Sequence, residues 1–214
     1  MKSRINSFYQ SALIFSVFSL AGSLQFNSLS AETSCKYSVS QDATALEWKA
    51  FKFTEKTGVG GKFAKVTISG SKSTANVPDA LKGLKFSIDP MDLDSGNAER
   101  DPKIKGAFFG NLKKSGKIQG SVSSAKLEAD GKSGTGVVKL VWNGVSKDVP
   151  LQFTLAGDVL EAKGSLDVNN WNASKALAAL NAVCNDLHKG KDGKSVLWPD
   201  VEITIKSTLK KDCK

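Results

Sequence analysis

Residues 87–109, SIDPMDLDSGNAERDPKIKGAFF, are the stretch that decides the fold of this chain. The stretch begins like the end of a strand, with Ile88 between polar residues, and Pro90 then breaks that strand. The Asp-, Ser- and Gly-rich part that follows is typical of a helix start, so a short polar helix is predicted over residues 92–105. The pair Phe108 and Phe109 supplies an apolar anchor behind it. One short helix therefore interrupts a chain whose remaining pattern is that of strands.

Alternating apolar and polar residues predict eight strands in the rest of the chain. The predicted strands lie near residues 46–53, 63–68, 84–88, 118–127, 137–142, 149–155, 160–168 and 201–209. Asn143-Gly144 is a strong signal for a two-residue hairpin, and a bulge is expected near Ala50. A helical period over residues 173–187 predicts a second helix. Strands joined in order by hairpins favour an all-β fold, an eight-stranded antiparallel lipocalin-like barrel with two short helices.

Residues 1–31 have the features of a cleaved secretory signal peptide, and residues 32–214 then form one barrel domain. A basic start with Lys2 and Arg4 precedes an apolar stretch and a cleavage site after Ala31. The apolar stretch is shorter than the roughly 20 residues of a membrane-spanning helix, so an uncleaved anchor is the less favoured alternative. The expected location is therefore periplasmic or secreted.

The chain has a formal net charge of +9, which favours an anionic partner such as a lipid headgroup or a phosphate. A solvated basic surface is the preferred reading, because the lysines are scattered and Arg100 is the single arginine beyond residue 31. No basic stripe with interleaved aromatic residues is present, so nucleic acid is not an expected partner.

Three cysteines, Cys35, Cys184 and Cys213, predict one disulfide and one leftover thiol in an oxidising compartment. Cys35 begins the first predicted strand and Cys213 ends the last, and these points lie side by side in a closed antiparallel barrel. That adjacency favours a Cys35–Cys213 bond, while a Cys184–Cys213 bond stays open as the alternative. The spacing does not fit a paired-cysteine zinc site.

No catalytic constellation stands out in the sequence. His188 is the single histidine, and it is expected on the surface in a loop rich in Gly and Lys. Catalysis by an activated nucleophile needs a base, a nucleophile and an orienting group together, and no such set is evident. No enzyme activity, catalytic residue, metal or cofactor is therefore predicted.

Three stretches together resemble the YceI-like family of periplasmic, lipocalin-shaped proteins that bind polyisoprenoid lipids. They are residues 87–109, the hairpin FKFTEKTGVGGKF at residues 51–63 and the hairpin VWNGVSKDVPLQFTL at residues 141–155. The resemblance runs from Tyr37 to Leu209 and implies an elongated apolar cavity for an isoprenoid tail. The chain departs from the family at Asn143, where many members carry histidine.

With that resemblance, one polar residue and a set of large apolar residues become candidate ligand contacts. Arg100 would meet a polar or anionic lipid head at the barrel mouth, or else would tie the helix to Asp101 or to strand carbonyls. The apolar candidates for the tail are Trp48, Phe51, Phe53, Phe63, Phe86, Phe108, Leu140 and Phe153.

The expected function is binding of a long-chain polyisoprenoid or a related apolar, quinone-like lipid inside the barrel. Peripheral membrane contact is possible for such a protein, and it would be a monomer or a homodimer. The alternative is a structural or stress-response envelope protein whose barrel is filled by its own side chains. An enzyme acting on isoprenoid or quinone substrates is a third, less favoured hypothesis, because no catalytic constellation is present.

Overall fold

The computed structural model describes residues 34–214, and in it ten antiparallel strands form one curled sheet. Their order across the sheet is β3-β4-β6-β7-β8-β9-β10-β1-β2-β5, so most strands pair with their neighbours in sequence. This confirms the predicted all-β, antiparallel, barrel-like architecture. The strands are β1 Cys35–Lys52, β2 Thr57–Phe63, β3 Val66–Ser69, β4 Lys85–Ile88, β5 Leu93–Asp94, β6 Ile118–Leu127, β7 Ser133–Trp142, β8 Val145–Ala156, β9 Val159–Asp167 and β10 Leu197–Cys213.

The strand count is ten in the described residues rather than the predicted eight, for two local reasons. The predicted strand near residues 63–68 is two strands, β2 paired with β1 and β3 paired with β4. Between them Ala64 leaves both ladders and donates its amide to the carbonyl of Asp92 at 2.9 Å. The second reason is β5, which pairs with β2 through Leu93 and Asp94 inside the stretch predicted to be helical.

The first and last strands pair along almost their whole length and join the two ends of the domain. The ladder between β1 and β10 runs from Cys35 opposite Cys213 to Lys52 opposite Leu197. Cys35 and Cys213 form a disulfide, which confirms the favoured pairing and leaves Cys184 as a buried free thiol. A register shift between Ala50 and Lys52 confirms the predicted bulge.

The N-terminal half of β1 also approaches β3, the far edge of the sheet, without a regular ladder. The Ser71 hydroxyl accepts from the amide of Val39 at 3.1 Å and donates to the carbonyl of the same residue at 2.9 Å. The Gln41 side chain accepts from the amide of Ile68 at 3.3 Å. No regular backbone ladder joins β1 to β3, and side chains therefore form hydrogen bonds with backbone groups at this edge that would otherwise stay unpaired.

Three short α-helices accompany the sheet in residues 34–214: α1 Val77–Leu81, α2 Arg100–Lys103 and α3 Ser174–Val183. The sequence prediction missed α1, which Asn76 caps by accepting from the amide of Asp79 at 2.9 Å. The second predicted helix corresponds to α3, with a 3₁₀ turn at Asn185–His188 behind it. None of the helices in this part of the chain is long and apolar enough to cross a membrane.

The first predicted helix begins at Arg100 rather than at residue 92. A 3₁₀ turn at Pro90–Asp92 and strand β5 occupy the start of that stretch, because Asp89 caps the turn through the amide of Met91. Asn97 then accepts from the amide of Arg100 at 2.9 Å and begins the helix. The helical path continues beyond α2 as a wider turn, Ile104–Phe108, and a 3₁₀ turn, Phe109–Asn111.

The Phe108–Phe109 pair is the apolar anchor that the sequence predicted. The two rings meet edge to face with centroids 5.2 Å apart, and both rings lie against Trp142 at 5.9 and 6.3 Å. Trp142 in turn packs on Trp171 at 6.3 Å. Aromatic pairs in such arrangements contribute about 0.5–1.5 kcal/mol beyond the burial of their area, so this cluster fixes the helical segment against the sheet.

Removal of the disulfide is predicted to lower stability strongly, because Cys35 and Cys213 are separated by 178 positions and the bond closes almost the whole domain. The Cys35→Ser, Cys213→Ser double variant should lose about 3–5 kcal/mol of unfolding free energy, with a Tm lower by roughly 10 °C. Titration of free thiols in unfolded, unreduced wild-type protein should detect one thiol per chain, that of Cys184. Release of two or three thiols, or a Cys184–Cys213 peptide, would contradict the pairing.

Candidate functional site

The curled sheet encloses an interior cavity of about 300 Å³, a volume within the range of small-molecule pockets. The three short helical segments close around it, since Leu81, Ile104 and Leu180 all lie in its wall. Among residues 34–214, the lining residues with polar side chains other than tryptophan are Thr44, Lys85 and Ser207. Thr44 and Ser207 bond to each other at 2.8 Å, so their hydroxyls do not face the cavity unpaired.

Three inward aromatic residues stand directly opposite glycines on the neighbouring strand. Trp48 pairs with Gly61, and Phe86 pairs with Gly120. Phe153 likewise pairs with Gly134. A Cβ atom at each of these glycines would collide with the opposing ring, so the rings lie flat over the neighbouring strand. Rings that lie along the wall occupy less of the barrel axis, and this packing keeps the interior open.

Six of the candidate apolar residues lie in the wall of the interior cavity. They are Trp48, Phe63, Phe86, Phe108, Leu140 and Phe153. They come from separate parts of the fold, strands β1, β2, β4, β7 and β8 and the helical segment that follows α2.

Phe51 and Phe53 do not reach this cavity, Phe51 because of its parity in β1 and Phe53 because it lies in the turn after that strand. Leu46, Trp48 and Ala50 share the inward phase of β1, so the odd-numbered Phe51 points to the other face. Its ring lies beneath Lys49 and Lys56, and it borders a second cavity. Phe53 adopts a positive φ of 64° in the turn after β1 and lines neither cavity.

A second cavity, of about 230 Å³, adjoins the interior one and has a mixed polar lining. The two cavities share five wall residues: Trp48, Ala50, Ile104, Leu180 and Leu197. The lining residues with polar or charged side chains found only in the second cavity are Lys52, Asn97, Glu99, Arg100, Lys103, Cys184 and His188. An apolar cavity therefore lies next to a more polar compartment beside α2 and the end of α3.

Arg100 lies in the wall of this second cavity and forms no side-chain hydrogen bond or ion pair with any residue in the range 34–214. The predicted alternative, a tie to Asp101 or to strand carbonyls, is therefore not what these residues form. Asp101 instead accepts from the amide and the hydroxyl of Ser95. The Ser95 hydroxyl is also the main reason that the pKa of Asp101 lies below its ordinary value.

Lys52 faces the same cavity and donates to the carbonyl of Leu187 at 3.0 Å. Burial, and then the nearby positive charge of Arg100, lower the pKa of Lys52 from its ordinary value. Two cations therefore influence each other across this compartment. Nothing in the sequence marks Lys52 as a site residue, because it lies far from α2 in the chain and comes near that helix only in the folded structure.

His188 is buried, with 8% of its surface exposed, and this corrects the prediction of a surface histidine. Its Nδ1 lies 2.8 Å from the side-chain oxygen of Asn181, which makes Nδ1 the protonated nitrogen of a neutral ring. Burial, followed by the charge of Lys52, lowers the pKa of His188 to about 4. The ring is therefore neutral at pH 7 and adds a polar but uncharged group to the second cavity.

Comparison with known proteins identifies the family of this chain. The model of the YceI-like domain matches residues 37–209. The chain belongs to the YceI-like family. No curated protein matches it.

Solved structures share the YceI-like fold at low sequence identity. BcnA of Burkholderia cenocepacia is 15% identical with a TM-score of 0.54, over 80% of this chain and 99% of its own. A polyisoprenoid binding domain from Saccharophagus degradans is 12% identical with a TM-score of 0.56, over 83% of this chain and 98% of its own. The Campylobacter jejuni YCEI protein is 16% identical with a TM-score of 0.51, over 75% of this chain and 89% of its own. At these identities the likeness concerns the fold.

Asn143 has a structural role at the hairpin between β7 and β8. Asn143 and Gly144 have φ angles of 48° and 76°, which fit the predicted two-residue turn. The Asn143 side chain donates to the carbonyl of Trp171 at 2.7 Å and accepts from the amide of Lys114 at 2.9 Å. It is 7% exposed, so its hydrogen bonds tie the hairpin to two loops.

Stability should fall between pH 6.5 and pH 4 because of His188. The unfolded histidine takes up a proton near pH 6.5, whereas the folded one does so only near pH 4. The stability that the neutral ring contributes is therefore complete above pH 6.5 and is lost as the pH falls toward 4. The loss should be about 1–2 kcal/mol, less than the full shift implies because the ring borders a polar cavity.

Urea unfolding of the wild type and of His188→Gln at pH 7 and pH 4.5 measures this effect. Both proteins will lose stability as carboxylates are protonated, so the difference between them isolates the histidine. The wild type should lose more stability than the variant over this interval. An equal loss in the two proteins would show that His188 is not held neutral by the fold.

Proposed function

We propose that this protein is a secreted or periplasmic carrier that holds a long-chain polyisoprenoid, or a related apolar quinone-like lipid, in its interior cavity. The observation that carries the proposal is the apolar space of about 300 Å³ inside the sheet, which opposed aromatic and glycine residues keep open. An empty apolar space lowers packing density and costs stability, so a fold that maintains one gains when a ligand fills it.

Binding of such a ligand needs no reactive side chain. Transfer of an apolar chain from water into the cavity contributes about 0.8 kcal/mol for each buried CH₂ group. In residues 34–214, the buried unpaired polar atoms of this wall are the indole nitrogens of Trp48 and Trp142, and Lys85, which also lines the cavity, is exposed. The polyisoprenoid binding domain from Saccharophagus degradans shares this fold, which adds support for an isoprenoid tail.

In this proposal the tail lies among the six wall residues named above, and the polar head lies in the second cavity beside α2. The shared wall residues Trp48, Ile104 and Leu197 make the two cavities neighbours, which supports this placement of the tail and the head of one molecule. Phe51 and Arg100 then belong to the head compartment, and Phe53 has no part in binding.

A barrel filled by its own side chains is the competing account, and the open interior argues against it. In a filled barrel, large residues on facing strands interdigitate across the axis. Here the rings of Trp48, Phe86 and Phe153 lie over glycines of the neighbouring strand, so they extend less toward the barrel axis. No observation in the described residues favours an enzyme on isoprenoid or quinone substrates.

The proposed location rests on the sequence of residues 1–31, which lie outside the described residues, and on the disulfide. A Cys35–Cys213 bond suits an oxidising compartment such as the periplasm. Cleavage after Ala31 would leave residues 32–214 as the mature, single barrel domain. Peripheral membrane contact and the choice between monomer and homodimer stay predictions.

Filling the cavity from within should abolish lipid uptake. Ala162 is 6% exposed and lies on the inward row of β9 between Phe153 and Ile205. The Ala162→Phe variant places a ring where the tail would lie, so binding of geranylgeraniol should weaken at least about tenfold. Isothermal titration calorimetry measures the binding, and thermal melting reports whether the variant is folded.

Lys163→Phe is the matched control, because it adds the same ring at the next position of β9 on the exposed face. The control should bind geranylgeraniol like the wild type. If the wild-type protein takes up neither geranylgeraniol nor a long-chain quinone while it remains folded, the carrier proposal is wrong. If Ala162→Phe melts higher than the wild type and both bind equally, the ligand does not occupy the interior cavity.

A further inference from the structure

The second cavity carries an excess of positive charge. Lys52, Arg100 and Lys103 are partly buried in its wall, and Glu99 is the single acidic residue that residues 34–214 place there. No carboxylate of residues 34–214 lies within ion-pair distance of any of these three cations. Six exposed lysines of residues 34–214 form ion pairs, as Lys49 does with Glu202 at 3.1 Å, and the remaining lysines do not.

The nearest acidic residue of α2 is already engaged. Asp101 follows Arg100 in the chain, but its carboxylate accepts two hydrogen bonds from Ser95. His188 brings no further charge, because its Nδ1 is held by Asn181 and its ring is neutral at pH 7. The compartment is therefore a cationic end to an otherwise apolar space.

The wall between the two cavities also carries an unused hydrogen-bond donor. Trp48 lines both cavities, and its indole Nε1 is buried without a partner in residues 34–214. A buried donor left unpaired costs about 1–3 kcal/mol, so an acceptor supplied by a ligand would recover that energy. Three partly buried cations and one orphan donor share a preference for an oxygen-rich anion.

We propose that the second cavity binds a phosphate group, and that this phosphate is the head of the amphiphile whose apolar tail fills the interior cavity. The inference rests on the proposed function, because the shared wall makes the tail and head sites parts of one ligand. Arg100 offers a planar fork of donors for a phosphate, and Lys52 and Lys103 add two ammonium groups beside it. A neutral quinone or alcohol head would leave all three charges uncompensated.

The experiment compares three probes on the wild-type protein in 0.15 M salt by isothermal titration calorimetry. They are geranylgeranyl phosphate, geranylgeraniol with the same tail and a neutral head, and inorganic phosphate. Geranylgeranyl phosphate should bind at least about tenfold tighter than the alcohol, since one charge-assisted hydrogen bond is worth about that factor. This advantage should shrink as salt is raised, because the cations are only partly buried.

Variants then locate the effect. Arg100→Gln, Lys52→Gln and Lys103→Gln should each weaken geranylgeranyl phosphate about three- to tenfold and weaken geranylgeraniol by a clearly smaller factor, because the alcohol head makes no charge-assisted hydrogen bond. Thermal melting of each variant reports whether it is folded. Arg100→Lys should restore part of the loss, because it keeps the charge without the fork. Lys206→Gln is the control, because Lys206 is an exposed lysine paired with Glu47. This variant should change neither the affinity for geranylgeranyl phosphate nor the affinity for geranylgeraniol.

Each outcome decides one of the two ideas. Equal affinities for the phosphate and the alcohol overturn the anionic head and leave the carrier function standing. Binding of neither lipid overturns the carrier function. If inorganic phosphate binds as tightly as geranylgeranyl phosphate and the same variants weaken it, the cavity is a site for free phosphate and the lipid head is wrong.

Discussion

The antiparallel pairing of β1 with β10 is the interaction on which the rest of the structure depends. We call this pair the seam, because it joins the first and the last strand of the domain. It lies inside the sheet order, with six strands on the side of β10 and two on the side of β1. The Cys35–Cys213 bond fixes one end of the seam. The other end, near Lys52 and Leu197, borders the second cavity. A seam between distant strands costs loop-closure entropy, which the disulfide removes from the unfolded state.

A curled sheet does not by itself make a binding protein, because side chains can fill the space it encloses. Here the interior stays open through cross-strand pairs in which a large ring faces a glycine, as Phe86 faces Gly120 and Phe153 faces Gly134. A glycine in a strand loses more backbone entropy on folding than other residues and has no side chain to pack. The aromatic ring that lies over it supplies the missing packing contacts. The helical segment anchored by Phe108 and Phe109 then covers the space, so the cavity and its cover come from one stretch of sequence and a few glycines.

The strands, the Asn143–Gly144 turn and the disulfide could be predicted because each depends on local alternation, turn chemistry or the order of the chain. The prediction that Phe51 lines the interior cavity came from its residue type. The strand register determines which face a side chain occupies, and Phe51 lies on the outward face of β1. The helix before Arg100 was misplaced because Asp and Ser cap turns as readily as helices. The neutral state of His188 depends on its burial, its hydrogen bond to Asn181 and the charge of Lys52, which meet only in the folded chain. A charged compartment assembled from three distant segments likewise leaves no periodic signal in the sequence.

The two ends of the apolar space differ in a way that gives a bound amphiphile one direction. At the end of β1 and β10 away from Leu197, the polar wall residues Thr44 and Ser207 satisfy each other. At the other end, the cations of Lys52, Arg100 and Lys103 have no carboxylate partner in the described part of the chain. Burying a polar head at the first end would break an existing hydrogen bond, whereas the second end offers unused donors. The same asymmetry means that selection among lipids with similar tails falls to the head compartment, because a purely apolar wall distinguishes chains mainly by length.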